Sequence, residues 1–255
     1  MRAHPAALGA AGALGTVAAL ELLTRSGLVD GDQVPPVSTV LRRAAGLVAD
    51  PEFLTQLTDT LRSWFTGLAL ATLVAVAAGL VLGATPWLNR AARLVVELMR
   101  PIPSLALIPL ALVTFSSTTQ STTSLVCYAA TWPILINTLY ALRDVDPLAT
   151  ETLRSFGFGR AAVTLRVALP SAAPFVLTGV RIAASVGLVV VVSTELVAGA
   201  GSGLGGYLAQ SQTGGGRPDL MLAGAVWAGV LGLAANLLLV AFGRVAFRWH
   251  TGTGS

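Results

Sequence analysis

The sequence predicts an all-α membrane protein with six transmembrane helices. Three observations carry this. Hydrophobic residues make up 54% of the 255-residue chain and charged residues only 11%, whereas a soluble domain carries about 25% charged residues. A soluble globule of this size would lack the charge to cover its surface. The apolar residues also gather in runs of about 20, the length a helix needs to cross the hydrocarbon layer. Finally, the basic residues fall mostly between these runs, where orientation signals are expected. Length alone permits one or two domains; the runs argue for a single transmembrane domain over 1–255.

The expected spans are 6–23, 64–84, 94–115, 124–142, 174–198 and 220–242. The first resembles a secretory signal in following Met1-Arg2, but it is longer than a usual signal core and further spans follow, so an uncleaved helix is expected. The loop 24–63 then carries Pro35-Pro36 and an amphipathic stretch over 37–49. Asp50-Pro51 opens a second amphipathic helix with Phe53, Leu54, Leu57 and Leu61 at helical spacing. Both short helices are expected at the outer surface, packed within the subunit or touching a delivery protein.

The third span is the least regular. Glu97 and Arg100 are spaced to pair on one helix face, and Pro101, Pro103 and Pro109 follow. Two readings stand: a short helix after an interfacial turn, or a break lining a pathway, since broken backbone survives at membrane depth only within protein or beside water. In the fifth span Gly179, Ala183 and Gly187 recur at i,i+4, which indicates close helix packing. Trp64, Trp87 and Trp249 fall near expected span ends, as interface anchors do, while Trp227 lies within the sixth span.

Arginine placement gives the orientation. With the N-terminus inside, Arg2, Arg90, Arg93, Arg100, Arg143, Arg154, Arg160, Arg166, Arg244 and Arg248 are cytoplasmic. Arg25, Arg42, Arg43, Arg62 and Arg217 are outside. Arg181, near a helix start, is left aside. The asymmetry predicts N-in, C-in topology.

Composition also excludes chemistry. All sixteen basic residues are arginine. Without lysine there is no phosphate-loop ATPase site and no Schiff-base enzyme. The two histidines, His4 and His250, lie at opposite ends, and Cys127 is alone; a catalytic triad, a metal site and a disulfide framework are not expected. The arginines do not cluster with aromatics, so nucleic acid is not an expected partner. Gly201 to Gly206 spells GxGxxG, but it follows a membrane helix and the next acid is Asp219; a glycine-rich outer turn is expected.

The stretch 143–173 is the informative one. It exceeds the 2–8 residues or so that usually join neighbouring helices. Residues 146–156 read as a short helix, with Asp144, Asp146 and Glu151 suited to its positive end and Pro147 to its first turn. Gly157 supplies a sharp turn. Residues 161–169 read as a second short helix, ended by Pro170 and Pro174. A folded helix-turn-helix on the cytoplasmic face needs something to pack against, and a groove in a partner protein is the natural candidate.

This stretch resembles the signature of inner-membrane permeases of ABC importers, EAA-x3-G-x9-I-x-LP. Here Glu151, Thr152 and Leu153 are followed by three residues, Gly157, nine residues, and then Val167, Ala168, Leu169 and Pro170. Thr152 and Leu153 replace the two alanines, and Val167 replaces isoleucine. Residues 99–110, 170–181, 193–205 and 34–40 are similar to one branch of that family, the nitrate, sulfonate and taurine permeases. The resemblance implies a homodimer of permeases in the bacterial inner membrane, two copies of a separate ATPase that holds ATP and Mg, and an external solute-binding protein. It implies no cofactor and no enzyme activity in this chain. It also implies that Glu151, Thr152, Leu153, Arg154, Gly157, Leu169 and Pro170 couple the chain to the ATPase, with transport by alternating access. For the pathway or gate the candidates are Glu195, Ser193 and Pro109, because an acid within a membrane span marks a functional site by default. The alternative for Glu195 is a carboxylate bonded to nearby backbone or an arginine. A competing class is an ion-gradient-driven transporter, which predicts paired membrane acids and inverted repeats; neither is evident.

Overall fold

The computed structural model describes residues 5–26, 34–99, 101–199, 203–213 and 216–247. Among these the chain is helical throughout, with no strand. The helices are α1 (Pro5–Arg25), α2 (Val37–Leu47), α3 (Pro51–Ala84), α4 (Pro86–Met99), α5 (Ile108–Thr114), α6 (Thr118–Arg143), α7 (Pro147–Ser155), α8 (Arg160–Val163), α9 (Leu169–Ala198), α10 (Gly203–Thr213) and α11 (Pro218–Ala246).

The centre of the bundle is α3, α6 and α9. Gly67, Ala71, Ala75 and Gly79 recur every four residues along α3. A methyl group at Gly67 would collide with Val126 of α6, and one at Gly79 with Thr138. On α9, a Cβ at Gly179 would sit 3.0 Å from the Ile134 Cα, and Ala183 is wholly buried. The small-residue row expected on the fifth span therefore faces α6 of the same chain. Backbones meet there because no side chain holds them apart, which is how helices gain contact without a hydrophobic drive. The periphery is the reverse. The apolar run of α11 has 0% of its residues buried, and Leu233, Leu237, Leu238 and Phe242 are open. So much exposed apolar surface on a long helix requires an apolar surrounding.

Among the described residues four helices are long and apolar enough to cross a membrane: 51–84, 118–143, 160–198 and 218–246. The count is five if the bent pair formed by Trp87–Met99 and Ser104–Thr114 is one span. The first expected span is α1, a separate 21-residue helix outside that set. Its Glu21 reaches α2, accepting from the Ser38 amide at 2.9 Å and the Ser38 hydroxyl at 2.7 Å.

Several expected boundaries change. The second outer helix and the second span are one helix, α3. Asp50 caps it by accepting from the Glu52 amide at 2.9 Å, and Pro51 fits the first turn. Nothing between Leu61 and Trp64 breaks it, so its 34 residues run roughly 51 Å, beyond a bilayer core. The third span is bent by 77° at Pro101 and Pro103, which cannot donate to a helix ladder. Arg100, the expected partner of Glu97, lies outside the described residues. Helix α9 does not wait for Pro170 and Pro174 to pass: helix runs from Arg160 to Ala198. A wide turn over Thr164–Ala168, in which the Leu169 amide donates to Thr164 O, removes the clash that Pro170 would make in an ordinary α-turn. Arg181 is consequently well inside a helix rather than near its start.

The glycine-rich outer turn is also corrected. Gly203 to Gly206 form the first turn of α10, which packs against α9, α3 and α11. Residues 201–202 are outside the described set. Trp64 is no interface anchor: its Nε1 donates to Ala184 O at 3.0 Å in the bundle interior. Trp227 donates to Ala44 O at 2.9 Å and, with Phe53 and Tyr207, closes a core under α2. α2 and the start of α3 thus pack against α10 and α11 within the subunit. Trp249 lies outside the described residues.

Candidate functional site: a coupling element, a broken span and a buried carboxylate

The link between α6 and α9 is a compact, hydrogen-bonded element. Asp146 caps α7, its Oδ1 accepting from the Leu148 amide at 2.8 Å, with Pro147 in the first turn. Glu151 sits mid-helix and exposed, not at the start as expected. The helix ends in a Schellman turn. Gly157 has φ +80°, its amide donates to Arg154 O at 2.9 Å, and the Phe158 amide donates back to Leu153 O at 3.1 Å. A residue with a Cβ is disfavoured in that conformation. The Phe158 ring then lies 4.9 Å beneath the Arg166 guanidinium, which ties the turn to the wide turn at the base of α9.

Among the expected coupling residues, Glu151, Thr152 and Arg154 are exposed on α7, Leu153 and Leu169 are half-buried, and Pro170 is exposed. No residue of α7 is buried. Leu148 and Phe156 are 70% and 77% exposed.

The bend after α4 borders a groove of about 420 Å3 lined by Pro101, Pro103, Tyr128, Trp132, Ile182 and Val186. The Tyr128 hydroxyl donates to Met99 O at 3.2 Å, satisfying a carbonyl at the broken end. The broken backbone thus forms part of the wall of this groove. Pro109 is exposed in the first turn of α5 and is not in the groove; Ser193 lines a different, apolar groove between α9 and α11.

Glu195 is 2% exposed. Its Oε2 accepts from the Thr60 hydroxyl at 2.8 Å and from the Gly205 amide at 3.1 Å, while the Leu204 amide donates to Thr60 Oγ at 2.7 Å. A Cβ at Gly203 would overlap the carboxylate, and one at Gly205 would meet Val192 O. The acid thus seats the amino end of α10, where the helix dipole favours a negative group. This is the backbone-bonded alternative: its backbone partner, Gly205, belongs to the GxGxxG string, and its second donor is the Thr60 hydroxyl. Thr60 was not foreseen: an isolated threonine in a helix gives no sequence signal.

A bundle of long apolar helices with a folded, exposed connection defines a multi-pass membrane protein. Residues 67–249 match the family described as binding-protein-dependent transport system inner membrane component, and the chain belongs to it. The chain is 30% identical over 240 residues to the taurine transport system permease protein of Escherichia coli, covering 92% of this chain and 84% of that one. It is 25% identical over 194 residues to the nitrate import permease protein of Leptolyngbya laminosa, covering 76% and 69%. The fold matches a solved structure of the MetNI methionine ABC transporter in inward-facing conformations, with TM-score 0.65 and 20% identity over 76% of this chain and 95% of that one. The chain is a permease component of an ABC importer.

Proposed function

We propose that two copies of this chain form the transmembrane pathway for a small solute, and that α7 seats in a separate ATPase and transmits its closure to α6 and α9. The observation that carries this is the exposure of Leu148 and Phe156 on a helix held rigid by a cap and a Schellman turn. Such an element has paid its ordering entropy before any partner arrives. It joins α6 and α9, which pack more extensively on each other than any other pair in the bundle. ATP and Mg are held by the ATPase, and an external binding protein delivers the solute. The substrate class is that of the nitrate, sulfonate and taurine branch.

The proposal includes six spans in one domain over 1–255, with both ends inside and 143–173 cytoplasmic, in a bacterial inner membrane. Glu151, Thr152, Leu153, Arg154, Gly157, Leu169 and Pro170 form the coupling set. Glu195, with its tie to α10, is assigned to the outer gate. The test is photo-crosslinking from positions 148 and 156 in native membranes. An ATPase subunit captured from both positions, and not from exposed Val113 of α5, is expected. Labelling of 148 and 156 from outside the cell, with no ATPase captured, would refute it.

A further inference from the structure

Arg181 places a positive group inside α9 with no carboxylate to balance it. It stands twelve residues beyond Leu169, roughly 18 Å along the helix axis. Its Nη2 donates to Asn236 Oδ1 of α11 at 3.2 Å, and Asn236 stands ten residues before Ala246, roughly 15 Å from that helix end. Both helices therefore put the pair within the apolar layer, toward the end that carries α7. The Arg181 Nε is buried without a hydrogen-bond partner. Among the described residues no acid lies within ion-pair distance of Arg181. Glu195, the buried acid of the same helix, is fourteen residues away and satisfied by its own donors.

A tie between α9 and α11 does not need a charge. Two neutral amides would hold the helices together at lower desolvation cost. A guanidinium whose hydrogen bond among the described residues goes to a neutral oxygen has donors to spare, in the planar arrangement that suits an oxyanion. Arg181 is half-buried and borders the exposed stripe of α9 that includes Thr178, Ile182, Ser185 and Val186, and Ile182 and Val186 line the groove at the broken span.

We propose that Arg181, steadied by Asn236, is an anion-binding step in the pathway, where its guanidinium meets the oxyanion group of the solute. This rests on the permease reading above. The taurine and nitrate permeases similar to this chain are named for solutes of that chemistry.

The experiment is uptake of labelled nitrate, taurine and methanesulfonate by cells whose own copy is deleted and replaced by variants in the full transporter. Membrane level and co-purification with the ATPase are scored separately. Chain-dependent uptake of at least one probe is expected. Arg181→Gln and Asn236→Asp should each lower it at least tenfold, with Arg181→Lys between them and the unsubstituted chain. Asn236→Asp is decisive: it strengthens a mere clamp but fills the anion site with a carboxylate. Uptake within twofold of normal in Asn236→Asp overturns the proposal, as does an assembled transporter that carries none of the probes. Variants that vanish from the membrane assign the pair to folding and overturn it too. An unsubstituted chain that binds no ATPase instead refutes the permease reading.

Discussion

Replacing Gly157 isolates the contribution of one backbone conformation to coupling. The residue has φ +80°, and a Cβ built there meets nothing within 4 Å. A substitution therefore adds no collision, and its whole cost is the left-handed conformation, about 1–2 kcal/mol for an ordinary L-residue. Asparagine tolerates that region and should cost least; alanine costs more, and β-branched valine most. If α7 must keep this turn to enter the ATPase, the penalty lowers the fraction of chains in the competent shape. A loss of 1–2 kcal/mol corresponds to about a 5–30-fold weaker apparent affinity. The assay is titration of purified ATPase onto the permease in nanodiscs, with solute-stimulated ATP hydrolysis measured alongside. Affinity should fall in the order Gly, Asn, Ala, Val. Equal affinity across the series, or alanine weaker than valine, would refute the reasoning, because no neighbouring atom is available to explain it.

Other substitutions probe the remaining parts. Asp146→Ala removes the cap of α7 and should cost about 1 kcal/mol, read as faster amide exchange over 148–150 with no change in α6. Gly179→Leu forces a side chain against the Pro133–Ile134 backbone and should destabilise the bundle by about 1–3 kcal/mol; Gly12→Leu on exposed α1, with nothing within 4 Å, should leave the melting temperature in detergent unchanged. Glu195→Ala strands the Gly205 amide and the Thr60 hydroxyl, a loss of about 1–3 kcal/mol that should raise proteolysis and exchange over 203–213. Glu195→Gln keeps an acceptor oxygen and should stay close to the unsubstituted chain in the same measurements.

What the sequence made legible was local. Apolar runs of sufficient length gave the positions of α3, α6, α9 and α11, because the bilayer fixes the length a helix must have. The Gly157 turn was legible because only glycine takes that backbone shape cheaply, and the Asp146-Pro147 start because a cap acts within three residues. The misses came where distant contacts override local preference. Gly203, Gly205 and Gly206 have poor helix propensity, yet they start α10 because Glu195 accepts from the Gly205 amide, Thr60 accepts from the Leu204 amide, and Leu204 is wholly buried. Thr60 and Glu195 are 135 residues apart, and nothing local announces their bond. Pro170 reads as a helix stop under α-helical rules; the wide turn at Thr164–Ala168 suspends those rules.

The packing constrains how a push on α7 would travel. Gly179 brings α9 within backbone distance of α6, and close-packed surfaces do not slide without large cost. α6 and α9 are thus expected to move together, and α7 connects their two adjoining ends. At its far end α9 is fastened to α10 and α3 through Glu195, so displacement there involves those two helices as well. Its contacts with α11 are thinner: a groove separates the two where Ser185, Val189 and Ser193 face Gly229 and Gly232, and Arg181 and Asn236 form a polar link between them. The bundle is therefore stiff across α6 and α9 and compliant toward α11 and the broken span. On the proposed mechanism the pathway opens along the compliant side, which is the side that carries the exposed stripe of α9 and the guanidinium beside it.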